Sequence, residues 1–230
     1  MVELLILLAI SWLVIWFFEK GNLSVLGLRL TAKRLKFAGF LFFLTALCCA
    51  TGFWLRMYFL KEAFGINPAM TNSLFFHSLW QAVRSVLFEE LLCRGILLYI
   101  LIKKMGPAWA IFISSLVFGA LHWNNIGFSG NLPQIILVFF WPFLFGLVFA
   151  YAYFVSGSIY LPIAMHLGWN LVQNFIFPGN TGPSVLIISS QPLVTVSYFI
   201  YFMIFLFPKI AAIIFNYLVL RQYNLKIIPA

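Results

Sequence analysis

The stretch VLFEELLCRGILLYILI, residues 86–102, places two adjacent glutamates and an arginine inside an otherwise apolar run. It belongs to an apolar segment at about 80–102, and about 20 mostly apolar residues are enough for a helix to cross a bilayer. An ionisable side chain within a membrane helix costs roughly 2.5–3.5 kcal/mol on insertion scales. Glu89, Glu90 and Arg94 therefore predict a functional site inside a membrane helix.

The composition of the whole chain supports a membrane protein. Of 230 residues, 64% are hydrophobic and only 8% are charged, and the mean hydropathy is +1.05. No soluble core needs that much apolar surface, which indicates that the bilayer is the solvent. We predict an all-α, multi-pass transmembrane bundle of about seven spans, with eight as the alternative. Residues 1–230 form a single integral membrane domain in this interpretation.

Apolar runs of spanning length define the predicted helices. The seven spans are roughly 2–18, 37–60, 80–102, 107–123, 132–154, 158–178 and 193–220. Two features leave alternatives open: the last span could be broken near Pro208, and residues 72–80 form either an interfacial helix or part of a long tilted third span.

The net charge of +9 fits membrane topology better than nucleic-acid binding. Basic residues lie mainly at the ends of the apolar runs, as at Lys103, Lys104 and Arg221. With seven spans, the basic loops all fall on one side. The positive-inside rule then places the C-terminus in the cytoplasm and the N-terminus outside. We expect the protein to lie in the cell (inner) membrane. Its expected partner is the lipid bilayer, and we expect no nucleic-acid partner.

Four polar side chains in the apolar segments are expected to meet at one level of the bundle. Glu89 lies in the third span, His122 closes the fourth, and His166 with Asn170 shares one face of the sixth. The helix rise places Glu89, His122 and Asn170 about 18–21 Å from the cytoplasmic ends of their spans. His166 lies at about 12 Å, and Pro162 predicts an extended start of the sixth span that raises it further.

This set of residues suits activation of a water molecule. Glu90 and Arg94 are one helical turn apart and can pair, whereas Glu89 points about 100° away and can face a cavity. Glu89 would act as the general base, and His122 would orient the water or share that role.

His166 and Asn170 would stabilise the oxyanion of a tetrahedral intermediate. The cofactor remains open between none and a divalent metal such as zinc, for which His122 and His166 with a carboxylate are suitable ligands.

Three motifs resemble the CPBP family of intramembrane proteases, which includes CAAX prenyl endopeptidases and bacteriocin-processing or Abi-type proteins. The matching positions, in the family's order, are Glu89, Glu90 and Arg94, then Phe118 and His122, then His166 and Asn170.

The resemblance places a CPBP-like core at about 80–178 and implies an all-helical membrane bundle. It also implies peptide hydrolysis in the membrane, with the first glutamate of the pair as base. The expected substrate is a membrane-embedded or lipid-anchored peptide or protein. The role of a metal is disputed in this family.

Two alternatives have support in the sequence. Gly127-Phe128-Ser129-Gly130 and His166-Leu167-Gly168 resemble motifs of rhomboid proteases, in which Ser129 and His166 would form a catalytic dyad. That interpretation leaves Glu89, Glu90 and Arg94 unexplained. The other alternative is a non-enzyme, a transporter or an immunity protein, because buried carboxylates and histidines also form proton relays.

Overall fold

The computed structural model describes residues 2–125, 131–177, 186–190 and 192–223, and these residues form a helical bundle. The helices in chain order are α1 (Val2–Glu19), α2 (Ala32–Leu60), α3 (Asn72–Glu90), α4 (Leu98–Met105), α5 (Pro107–Leu121), α6 (Leu132–Ser156), α7 (Tyr160–Asn170) and α8 (Tyr198–Gln222). Short 3-10 turns cover Leu23–Leu26 and His122–Asn125, and π-helical segments cover Leu91–Leu97 and Leu171–Ile176.

The predicted all-α, multi-pass fold is confirmed. Within the described residues, α1, α2, α6 and α8 are long and apolar enough to cross a membrane. The segment predicted as the third span is one continuous helical stretch, because the π-helical residues Leu91–Leu97 join α3 to α4. The helix α5 is apolar but shorter, with 15 residues.

Local sequence signals account for the helix boundaries. Thr71 accepts a hydrogen bond from the backbone N–H of Leu74, and Asn131 accepts one from Gln134, so each caps a helix start. Gly106, at a positive φ of 81°, separates α4 from α5, and Pro107 occupies the first turn of α5.

Three predictions about where helices begin, end or break can be compared with the structure. The helix α8 continues through Pro208, so the last segment is one helix and not two. Residues 72–80 belong to α3 and are continuous with the helix that carries Glu89. The extended start predicted at Pro162 is wrong, because α7 begins at Tyr160 and Pro162 lies in its first turn. A proline is tolerated there since the first-turn N–H groups have no intrahelical acceptor.

The bundle has an apolar exterior and a small polar interior. Large apolar side chains remain exposed along α1, α2 and α8, which suits contact with lipid. The buried polar groups are used as links between helices: Asn216 of α8 donates to the Thr45 hydroxyl of α2 at 2.9 Å, and both are buried. The chain is therefore an integral membrane protein whose polar interactions are concentrated inside.

A two-stranded antiparallel ribbon lies beside the helices. Its strands are β1 (Phe64–Ile66) and β2 (Ile187–Ser189), with Gly65 opposite Ile188. The ribbon was not predicted from the sequence, because the two strands are three residues each and lie far apart along the chain.

The helix α7, which carries His166 and Asn170, packs directly on the backbone of α2. Gly168 permits this approach: a Cβ atom at that position would lie 2.3 Å from the backbone oxygen of Phe42 and 3.3 Å from the backbone nitrogen of Ala46. Backbone atoms cannot yield as a side-chain tip can, so any larger residue must push α7 away from α2.

We therefore expect Gly168→Ala to destabilise the protein by about 1–3 kcal/mol, the usual cost of overpacking, and to lower activity by displacing α7. The measurement is the unfolding of detergent-solubilised protein together with its activity. Gly39→Ala in α2 is the matched control, since nothing lies within 4 Å of a Cβ placed there. Equal behaviour of the two variants would contradict a tight α2–α7 contact.

Candidate active site

The centre of the polar interior is an ion pair between Glu90 and Arg94, both with fully buried side chains. Arg94 Nη1 donates to Glu90 Oε1 at 3.0 Å, so the one-turn pairing predicted from the sequence is confirmed. The Nη2 atom donates to the carbonyl oxygen of Gly146 in α6 at 3.3 Å. Arg94 thereby ties the third helix of the bundle to α6.

Two aromatic rings complete the surroundings of Arg94. Its guanidinium carbon lies 3.9 Å from the ring centroid of Phe118 and 5.4 Å from that of Phe149. Aromatic faces attract a cation, most strongly where water is excluded. The edge-on contacts of Phe118 with the rings of His122 and His166 make this residue the shared packing surface of the site.

Both ring nitrogens of His166 make hydrogen bonds. Its Nδ1 lies 2.8 Å from Glu90 Oε1, and a carboxylate can only accept, so Nδ1 carries the proton. In the neutral ring, Nε2 then accepts from the side-chain amide of Asn170 at 3.1 Å. Glu90 therefore fixes the tautomer and the orientation of His166, which in turn fixes Asn170.

Glu89 turns away from this cluster, as the helix geometry predicted. Its Oε1 accepts from the hydroxyl of Ser85 at 2.7 Å. Its Oε2 is covered and has no hydrogen-bond partner among the described residues. That oxygen lies 3.8 Å from His122 Nε2 and 3.9 Å from His166 Nε2. These distances are too long for direct hydrogen bonds, and a water can bridge polar atoms that are separated in this way.

His122 presents one nitrogen to Glu89. Its Nδ1 lies 2.9 Å from the backbone oxygen of Phe118, and a carbonyl only accepts, so Nδ1 is the donor. The Nε2 of a neutral ring is then an acceptor aimed at the same gap as Glu89 Oε2. Two acceptors around one gap suit a water molecule, which can donate to both.

The structure brings all four predicted residues, Glu89, His122, His166 and Asn170, to one cavity of about 350 Å³. The other side chains along its wall are Ser85, Phe118, Trp141, Pro142, Phe145, Phe149, Trp169, Gln173, Asn174 and Lys209. Their chemical roles remain predictions; the common location is a feature of the fold.

Ser85 and Lys209 are two of the wall residues that the sequence interpretation missed. Ser85 precedes Glu89 by four residues on the same helix face, so its spacing is a usable signal. Lys209 stands inside the last apolar span, where the rule applied to Glu89 would also have identified it.

The histidines and Glu89 are zinc-ligand types, but their arrangement does not fit a zinc site. Tetrahedral zinc with bonds of about 2.0–2.2 Å holds its ligand atoms about 3.4 Å apart, closer than the 3.8 and 3.9 Å found here. The lone pair of His166 Nε2 is already used by Asn170. Within the described part of the chain, no group of three or more His, Cys, Asp or Glu side chains has a metal-binding arrangement.

The rhomboid alternative depends on Ser129, which lies outside the described residues. Its partner His166 has both ring nitrogens in hydrogen bonds, to Glu90 and to Asn170. A serine nucleophile would need one of these nitrogens as its base, so the geometry of His166 favours the glutamate interpretation.

Arg94→Met should destabilise the protein by about 3–5 kcal/mol, because it leaves the Glu90 carboxylate buried without its partner. Arg84→Met is the matched control, since Arg84 pairs with Glu3 at 2.9 Å on the surface and such pairs contribute about 0–1 kcal/mol. Unfolding in detergent at increasing denaturant compares the two. Similar losses of unfolding free energy in both variants would show that the buried Glu90–Arg94 pair stabilises the protein no more than the surface pair does.

A comparison with protein families gives one match. Residues 71–172 match the family model described as Rce1-like, type II CAAX prenyl endopeptidase. Comparison with curated proteins and with solved structures finds no match. The matched range contains Glu89, Glu90, Arg94, Phe118, His122, His166 and Asn170.

The buried cluster, the cavity that it supports and the matched motifs all lie in this one part of the bundle. Residues 71–172 of this integral membrane protein are therefore similar to the Rce1-like type II CAAX prenyl endopeptidase family.

Proposed function

We propose that the protein is an intramembrane endopeptidase that hydrolyses a peptide bond of a membrane-associated substrate with a water activated by Glu89. The observation that carries this proposal is the position of Glu89 on the cavity wall, with Oε2 lacking a hydrogen-bond partner among the described residues and lying 3.8 Å from the Nε2 of His122. The match of residues 71–172 to a protease family supports the same reaction class.

In the proposed first step, a water between Glu89 and His122 donates one hydrogen bond to each. The carboxylate accepts a proton from this water while the water oxygen attacks the substrate carbonyl carbon. His122 acts by orienting the nucleophile, since its Nδ1–H is anchored on the backbone of Phe118. Burial of the site strengthens each of these electrostatic contacts relative to bulk water.

The oxyanion of the tetrahedral intermediate would be stabilised from α7. The Asn170 amide has a second N–H besides the one directed at His166. His166 would act through Asn170, because its Nε2 accepts from that amide and so fixes the direction of the second N–H.

Collapse of the intermediate breaks the C–N bond. Glu89 returns its proton to the leaving nitrogen, and the products are a new carboxyl terminus and a new amine. One water is consumed for each bond cleaved, and Glu89 is regenerated as a carboxylate. Ser85 holds the other oxygen of Glu89 throughout, which fixes the direction in which Oε2 points.

Glu89→Gln should lower kcat for cleavage of a membrane-anchored peptide by about 10²–10⁴-fold, the usual contribution of a general base. The substitution keeps the shape and the Ser85 contact but removes the base. Glu3→Gln, the same change on an exposed glutamate, and Ser129→Ala should both leave cleavage unchanged. Loss of activity only in Ser129→Ala would establish a serine mechanism instead. Retained cleavage in Glu89→Gln would refute the proposal, and proton-coupled flux through Glu89 would then be tested.

Cleavage by purified protein should be unaffected by a strong metal chelator, because the gap around Glu89 suits a water better than a tetrahedral zinc ion. The measurement is the rate before and after chelation, with added zinc as the reverse test. Inactivation by the chelator followed by recovery with zinc would instead assign His122 and His166 as metal ligands.

A further inference from the structure

Lys209 is a cation at the middle of an apolar helix. It lies about 17 Å along α8 from the first residue and about 20 Å from the last, by the helix rise. Its ammonium group donates to the backbone oxygen of Phe205 at 2.9 Å and lies 3.6 Å from the centroid of that residue's ring. These contacts orient the ammonium group but do not neutralise it.

No acidic side chain is available to pair with Lys209. The five acidic residues of the chain are all glutamates and all lie in the described ranges. Four of them are engaged elsewhere: Glu3 with Arg84, Glu19 with Tyr99, Glu62 with Arg56, and Glu90 with Arg94. The fifth, Glu89, faces Ser85 and the two histidines.

An unpaired ammonium at this depth is costly, and such residues mark ligand or ion sites by default. Lysines near helix ends avoid the cost by extending to the membrane surface, but the central position of Lys209 makes this route long. Lys209 instead lines two cavities of the protein.

Lys209 stands where these cavities meet. The first is the cavity of Glu89 and His122, and the second, of about 430 Å³, is lined by Arg56, Glu62 and apolar groups such as Phe53 and Ile204. Lys209, Trp169 and Gln173 line both. The two spaces are thus neighbours separated by these three side chains.

Within the described residues, Lys209 is the one cation on either cavity without an acidic partner. Arg56 is held by both oxygens of Glu62, at 2.7 and 2.6 Å. A second donor on the first cavity, the buried indole N–H of Trp141, has no hydrogen-bond partner in the described part of the chain. The Trp141 ring centroid lies 5.6 Å from the Lys209 ammonium nitrogen.

We propose that Lys209 binds a carboxylate of the peptide substrate and so determines where along the peptide Glu89 cleaves. The inference rests on the proposed function, because it places an anionic part of the peptide beside the Glu89 cavity. A carboxylate would supply the charge that Lys209 lacks and an acceptor within reach of Trp141. The apolar wall of the second cavity, including Phe53 and Ile204, suits the side chains next to that carboxylate.

The carboxylate has two sources in a peptide, the chain terminus and an acidic side chain. Three fluorescent peptides of otherwise identical, neutral sequence distinguish them: a free-acid terminus, an amidated terminus, and an amidated terminus with one added aspartate. Their binding is measured with Glu89→Gln protein in detergent, which prevents turnover and separates recognition from cleavage.

The free-acid peptide should bind at least about 10-fold more tightly than the amide, as expected for loss of one charge-assisted contact. Lys209→Met, introduced into the Glu89→Gln protein, should remove this preference. Lys209→Arg in the same background should retain most of it. Lys104→Met, which removes the same charge beside Phe18 at a distant site, is the matched control and should leave the preference intact. Tighter binding of the aspartate peptide alone would assign the side chain as the source.

Equal binding of all three peptides, or an acid preference that survives in Lys209→Met, would overturn the assignment of Lys209. These outcomes are independent of the Glu89 test. If Glu89→Gln abolishes cleavage but no peptide shows a carboxylate preference, only the assignment of Lys209 is rejected. If the preference depends on Lys209 but the wild type cleaves no peptide, only the protease proposal is rejected.

Discussion

The buried pair of Glu90 and Arg94 organises the site, because neither charge is stable in this bundle alone. The cost of burying two ions is offset only when each finds several partners. Glu90 accepts from Arg94 and from His166, and Arg94 adds the Gly146 carbonyl and the face of Phe118. One ion pair thus connects α3, α5, α6 and α7 around the cavity and sets the direction in which His166 points.

The two adjacent glutamates face different surroundings because a helix rotates neighbouring side chains by about 100°. Glu90 faces the packed interior and is fully buried, whereas Glu89 retains 20% of its side-chain exposure on the cavity. A π-helical segment, Leu91–Leu97, follows this pair, and another, Leu171–Ile176, follows Asn170. Such segments are frequent at functional sites, where they change the facing of side chains within a continuous helix.

The apolar exterior and the polar interior have the same physical origin. A bilayer places no penalty on exposed phenylalanine and leucine but a large one on unpaired charge, so polar groups collect inside the bundle. Glu90 pairs with Arg94 there, and Thr45 pairs with Asn216. Among the described residues, one oxygen of Glu89 and the indole N–H of Trp141 have no hydrogen-bond partner, and both residues line the same cavity as Lys209.

The sequence by itself determined the membrane class, the helical fold and four of the polar residues that meet at the cavity. Long apolar runs admit few structures in lipid, and the i, i+4 spacings of Glu90–Arg94 and His166–Asn170 define local geometry that the fold preserves. Tertiary structure alone decided the rest. Contacts between distant segments, such as His166 with Glu90, the close approach of α2 at Gly168 and the pairing of β1 with β2, have no signature in local spacing. The lack of an acidic partner for Lys209 likewise becomes visible only when every glutamate has been given its partner in three dimensions, because charge balance in a bundle depends on which helices are neighbours.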